Sequence, residues 1–112
     1  MVQHRYLGEF EQVILLALMR LGPEAYGVTI RREIQERTGR RVSLGAIYPT
    51  MDRLEGKGLV RSYVGSPTPE RGGRAKRHFR LEARGFEALN RSRELFAALW
   101  SGFEPQIDSR SE

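Results

Sequence analysis

The 112-residue chain has no cysteine. Disulfides, thiolate metal sites and cysteine nucleophiles are therefore excluded. Histidine is nearly as scarce: His4 lies in an N-terminal arm and His78 stands among arginines. No paired carboxylates and no ligand-spaced cluster of His, Asp or Glu are present, so the chain reads as a non-enzyme with no metal and no cofactor. Long apolar runs are missing too. The longest, Val13 to Met19, falls far short of the roughly 20 residues that span a bilayer. No signal peptide is visible, and the expected location is cytoplasmic, with no membrane partner. Acidic residues are in deficit: 14 Asp and Glu against 19 Lys and Arg leave a formal charge of +5. That balance favours polyanionic partners, through release of counterions from phosphates. The hydrophobic fraction, 39%, is modest, and so small a fold gains from a partner chain that completes its core.

The residues that are present fall into helices, then strands, then a helix. Residues 1–7 form a loose arm. Gly8 to Leu21 reads as a first helix whose apolar positions run nearly all round it, which implies burial on more than one side. Gly22-Pro23 ends it. A second helix runs from about Gly27 to Thr38, with Gly39 as its stop. A third follows Ser43 and is closed by Gly56-Lys57-Gly58. The period then changes from 3.6 to 2. Leu59 to Val64 and Lys76 to Leu81 are strand candidates; in the latter, Phe79 and Leu81 share one face, and Lys76, His78 and Arg80 the other. The Pro- and Gly-rich segment between them makes a long hairpin. From Ala83 to Phe103 the helical period returns. The chain is thus mostly α with a small β-hairpin. Helices two and three form a helix-turn-helix and the hairpin is its wing, giving a winged helix-turn-helix over residues 1–82 and a long C-terminal dimerisation helix with a polar tail over 83–112.

The third helix is the most informative stretch. Ser43 is a natural N-cap. Ile47, Met51 and Leu54 recur at i, i+4 and i+7, so one stripe is meant for burial. The rest of the surface is small and polar: Gly45, Ala46, Pro49, Thr50 and Arg53. A low, hydrogen-bonding face suits the major groove of double-stranded DNA. Pro49 removes a backbone donor inside the helix, normally at a cost of about 3 kcal/mol. It frees the Gly45 carbonyl, which water or a donor on DNA can satisfy; the alternative is a bend that serves packing. Tyr48 can reach a phosphate through its hydroxyl, or else sits at the rim of the core. Thr50 and Arg53 can reach phosphate or base edges; the alternative for Arg53 is a weak exposed pair with Asp52 or Glu55.

The wing is strongly basic, with Arg71, Arg74, Lys76, Arg77, Arg80 and Arg84 against the single acid Glu82. Gly72 and Gly73 allow close approach to a sugar-phosphate edge, and Arg74 is placed to enter a minor groove. The last helix carries an aromatic stripe, Phe86, Leu89, Phe96, Leu99, Trp100 and Phe103. The first helix has a second apolar face, and Phe10, Ile14 and Leu18 are assigned with that stripe to the interface of a two-fold homodimer. Such a dimer sets two recognition helices one DNA turn apart, roughly 34 Å, and requires a pseudo-palindromic site. Phe96 and Trp100 either line a pocket for a small aromatic effector or are simply core.

Several motifs together resemble the PadR family of bacterial transcriptional regulators. They are Tyr26-Gly27 at the start of helix two, the run from Ser43 to Glu55 containing Gly45-Ala46-Ile47-Tyr48-Pro49, Gly58-Leu59-Val60, Gly73-Arg74, and Lys76 to Leu81 followed by Gly85. The likeness extends over about residues 7 to 100. It implies a dimeric winged-helix repressor in which Ser43, Gly45, Ala46, Tyr48 and Thr50 meet DNA and Gly73 and Arg74 form the wing's contact. The single C-terminal helix resembles the shorter subgroup, some of whose members stack planar drugs on a tryptophan of that helix; Trp100 is comparably placed. Five positions depart from the family pattern: Leu44 and Ala75 replace frequent prolines, His78-Phe79 replaces paired tyrosines, and Glu82 replaces a capping threonine. Base preference and effector specificity are left open by these changes. Two other readings remain at this level: a protein-interaction module that never touches DNA, and a protein that sequesters ligands.

Overall fold

The computed structural model describes residues 6–67 and 75–103. Helix α1 (Glu9–Leu21) is followed by a short 3-10 turn (Gly22–Glu24), α2 (Gly27–Thr38), α3 (Leu44–Gly56), the antiparallel strands β1 (Val60–Pro67) and β2 (Ala75–Leu81), and α4 (Ala83–Trp100). This is the winged helix expected from the sequence. Among the described residues no helix is long and apolar enough to cross a membrane.

Each helix begins with a local device. The Gly8 amide donates to Glu11 Oε1 at 2.9 Å ahead of α1. The Tyr26 amide donates to Thr29 Oγ1 at 3.0 Å ahead of α2. Ser43 Oγ accepts from the Ala46 amide at 3.1 Å and caps α3. Glu82 stands at the N-cap of α4 without a side-chain cap; its amide donates instead to the Leu59 carbonyl at 2.9 Å.

The core joins the helices to the hairpin. Ile14 and Leu15 of α1, Ile30 of α2, Ile47, Met51 and Leu54 of α3 and Phe79 of β2 are fully buried together. The i, i+4, i+7 stripe of α3 thus packs as the spacing requires.

Three features differ from the sequence reading. First, β1 continues past Val64 to Pro67, because the register slips by one residue between Val64↔Arg77 and Pro67↔Ala75. This bulge lets the strand bend while pairing resumes. Gly65 lies in it against the His78 ring, which a Cβ at that position would overlap. Second, His78 does not face solvent with Lys76 and Arg80. It is only 6% exposed. Its ring centroid lies 4.9 Å from that of Tyr26 and 5.5 Å from that of Tyr63, and Nδ1 sits 3.0 Å from the Lys76 carbonyl oxygen. The cause is a third extended segment: Tyr26 forms an isolated bridge with His78, and the Phe79 amide donates to the Ala25 carbonyl at 2.9 Å. The connection between α1 and α2 therefore covers part of the hairpin's second face. Third, α4 stops at Trp100, where Ser101 takes extended angles (φ -51°, ψ 127°). Its length is about 27 Å at 1.5 Å per residue.

Candidate nucleic-acid interface

On a helix of 3.6 residues per turn, the stripe opposite Ile47, Met51 and Leu54 is formed by Gly45, Pro49, Asp52 and Gly56. All four are exposed, with Ala46 and Arg53 on one flank. Tyr48 and Glu55 occupy the other flank, toward the hairpin. The outward surface of α3 is thus low and short-chained over its first two turns. Pro49 lies within α3 and has no amide to offer the Gly45 carbonyl, so that acceptor faces outward without its usual helical partner.

Thr50, expected at the DNA, turns inward. It is 3% exposed. Its hydroxyl donates to the Ala46 carbonyl at 3.0 Å and accepts from Arg53 Nη2 at 3.1 Å. The reason is positional: residue 50 falls between Ile47 and Leu54 on the buried stripe, and a threonine hydroxyl is satisfied there by the preceding turn. Arg53 remains exposed and, among the described residues, makes no ion pair with Asp52 or Glu55. Tyr48 is half-buried. Its ring lies 6.3 Å from the Phe79 centroid, and its hydroxyl end rests over Gly27, the first residue of α2. A Cβ at Gly27 would overlap that hydroxyl, so glycine is needed there by the close approach. Tyr48 consequently joins the rim of the core to the crease between α2 and the hairpin.

Of the wing residues singled out by sequence, Arg71, Gly73 and Arg74 lie outside the described residues. Lys76 is half-buried on β2. Arg77 is bound to α3: Nη2 donates to Asp52 Oδ1 at 2.9 Å and to Glu55 Oε1 at 3.0 Å. Its guanidinium carbon lies 4.9 Å from the Phe79 ring centre. Glu55 also accepts from the Ser62 amide at 3.1 Å and from the Ser62 hydroxyl. The Ser62 amide and hydroxyl, with the Arg77 guanidinium, outweigh partial burial and hold the Glu55 carboxyl below its ordinary range. Burial works against the charge of Arg77, but the bonds to Asp52 and Glu55 win and raise its pKa. The sequence offers these carboxylates to Arg53, but they pair with Arg77 instead; the signal is their i, i+3 spacing on α3. Arg41, exposed two residues before the Ser43 cap, was likewise passed over.

A second surface lies between α1 and α4. Leu16 and Met19 of α1 and Phe86, Phe96 and Trp100 of α4 line an open groove of about 550 Å³. Leu99 and Phe103 are exposed beyond it. The apolar faces of α1 and α4 are therefore uncovered within the chain: Phe86, Phe96, Leu99, Trp100 and Phe103 are exposed as the interface assignment requires, whereas four other assigned residues are not. Ile14 and Leu18 are 0% and 2% exposed and belong to the chain's own core. Leu89 is also largely buried there, and Phe10 is half-covered, with the Arg40 guanidinium 5.4 Å from its ring centre. Leu16 and Met19 take their place, because α1 turns Ile14, Leu15, Ala17 and Leu18 inward.

A sequence profile described as the Transcriptional regulator PadR-like family matches residues 15–91. No curated protein sequence matches the chain. Among solved structures, RosR from H. salinarum is 27% identical, with 96% of this chain and 89% of that one covered and a TM-score of 0.68. A PadR family transcription regulator from Clostridium difficile R20291 shares the fold at 21% identity, with 91% and 97% covered and a TM-score of 0.62. F93 from STIV, described as a winged-helix DNA-binding protein, shares it at 21% identity, with 88% and 98% covered and a TM-score of 0.68.

Proposed function

The chain belongs to the PadR-like family of transcriptional regulators, and from that premise we propose that it is a homodimeric repressor that binds double-stranded DNA at a pseudo-palindromic operator. The observation that carries this reading is the outward face of α3, short-chained and polar, set beside a basic hairpin. Ser43, Gly45, Ala46, Pro49 and Arg53 meet the major groove, where small side chains let the helix approach base edges. Tyr48 offers its hydroxyl to a phosphate from the crease above Gly27, and Arg41 and Lys76 add backbone contacts on either side. Arg71, Gly73 and Arg74 are assigned to the adjacent backbone or minor groove. Two chains associate through α4 and the outward face of α1, with Phe86, Phe96, Leu99, Trp100 and Phe103 meeting Leu16 and Met19 of the partner copy. The groove beside Trp100 then accepts a small planar aromatic ligand, whose binding releases the operator by changing the populations of two dimer geometries.

The test is fluorescence anisotropy of the purified protein on DNA upstream of its own gene and on a scrambled duplex, at two salt concentrations. A preference of roughly 10³ or more that persists at the higher salt is the expected result. Equal binding that collapses together as salt rises would reduce the interaction to phosphate attraction and overturn the repressor reading.

A further inference from the structure

Arg77 is the basic wing residue whose surroundings differ most from those of its neighbours. Lys76, one position earlier, makes no ion pair among the described residues. Arg61 and Arg80 both approach Glu82, at 3.8 and 3.4 Å, and stay largely exposed. Arg77 instead spends one terminal nitrogen on two carboxylates of α3 and lays its planar group against Phe79. Ser62 stands opposite Phe79 and Val64 opposite Arg77 in the hairpin register, so Ser62 and Arg77 are diagonal neighbours on one face. Glu55 therefore takes hold of both strands at once, β1 through Ser62 and β2 through Arg77.

We propose that Arg77 is a positioning residue, which with Asp52 and Glu55 clamps the wing to the recognition helix, and that it is not a phosphate contact. The inference deepens the DNA-binding reading and rests on it. The electrostatic argument is direct. Asp52 lies on the outward stripe of α3 with Gly45 and Pro49, on the side assigned to DNA. If the Arg77 guanidinium swung to a phosphate, two carboxylates would be left uncompensated against the same polyanion. Together the three side chains carry net negative charge, so this corner adds no attraction for phosphate and penalises a misplaced backbone. Such a repulsive element favours the correct register over indiscriminate binding. Affinity then comes from the other cations, and Arg77 fixes the angle between wing and helix.

The salt dependence of binding separates the two roles, because each phosphate contact contributes about 0.9 to the slope of log affinity against log salt on duplex DNA. A random-sequence duplex serves as the probe, so no operator need be known. Lys76→Gln is expected to flatten the slope by about 0.9, and Arg77→Gln to leave it unchanged. Asp52→Asn with Glu55→Gln is expected to steepen it by about 0.9, as the released guanidinium finds a phosphate. Flattening by Arg77→Gln equal to that of Lys76→Gln would overturn the proposal. A second measurement needs no DNA. Exchange of the Ser62 amide hydrogen in the free protein is expected to quicken about tenfold in Arg77→Gln, as Glu55 loses its second anchor; an unchanged rate would refute the clamp. If the wild type bound no duplex while Ser62 exchange still responded to Arg77, the DNA reading would fall and the junction would stand.

Discussion

Helix α3 buries Ile47, Thr50, Met51 and Leu54 along one stripe, and α4 buries Gly85, Ala88, Leu89 and Ser92 along another, yet what the two leave outside differs in kind. On α3 the outer residues are glycine, alanine, proline and charged groups, and most of the charged ones have partners. On α4 every residue from Arg93 to its end at Trp100 is exposed, with Phe96 at 50% and Leu99 at 69%. A polar face of short side chains is stable in water and loses little when a hydrated polyanion arrives. An aromatic face gains by leaving water: its burial is favoured by roughly 25 cal/mol for each Å² removed from solvent. One helix is suited to a transient partner, the other to a standing one.

The contrast predicts where substitutions act. Leu54→Ala should lower the stability of the chain itself by about 2–5 kcal/mol, since the side chain is fully buried and leaves a cavity. Chemical denaturation of the wild type and the variant measures this. Phe96→Ala should leave the monomer fold intact and weaken self-association by about 2 kcal/mol, roughly 30-fold. Sedimentation then shows the wild type near twice the 12.8 kDa chain mass, and the variant shifting toward one chain at micromolar concentration. An unshifted variant would erase the difference between the two helices. Thr50→Val should cost about 1 kcal/mol of stability through the lost hydroxyl bonds and leave base preference unchanged; altered preference at any base pair would return Thr50 to the DNA face.

The smallest effect is one of pH. Glu55 has a folded-state pKa below its ordinary value of 4.5. A depressed carboxylate contributes stability that is fully present above the unfolded value and is lost as pH falls through the folded one. The wing junction should therefore be insensitive to pH near neutrality and loosen only below about pH 4.5. Glu55→Gln should flatten that acid limb of the melting curve.

Element boundaries were legible because their causes are local. Gly22-Pro23 stops α1, Ser43 caps α3, and the change of period marks the hairpin. The outward face of α3 was legible for the same reason, as small residues at helical spacing. Other parts depend on what packs where. Helix α1 is apolar on nearly every side, so Leu16 and Met19 could be told from Ile14 and Leu18 only once α2, α3 and β2 had occupied one side. Thr50 is ambivalent in a sequence, because its hydroxyl can be satisfied by its own helix. His78 is buried between Tyr63, Gly65 and Tyr26, the last in a connection that carries no strand signal. Arg77 finds partners 22 and 25 residues away, and in the sequence it is one arginine among several.

The first turn of α4 has a mechanical consequence. The Glu82 amide is tied to the Leu59 carbonyl, and Gly85 packs so closely on that carbonyl that a Cβ would overlap it. Leu59 follows the end of α3 after only Lys57 and Gly58, so the start of α4 and the end of α3 share one fulcrum. A rod of about 27 Å pivoted at one end amplifies small rotations: a tilt of roughly 5° carries its far end about 2 Å. The same leverage works in reverse. A partner gripping the aromatic end of α4 holds the pivot with a long moment arm, and a force applied at Trp100 is felt at the foot of α3.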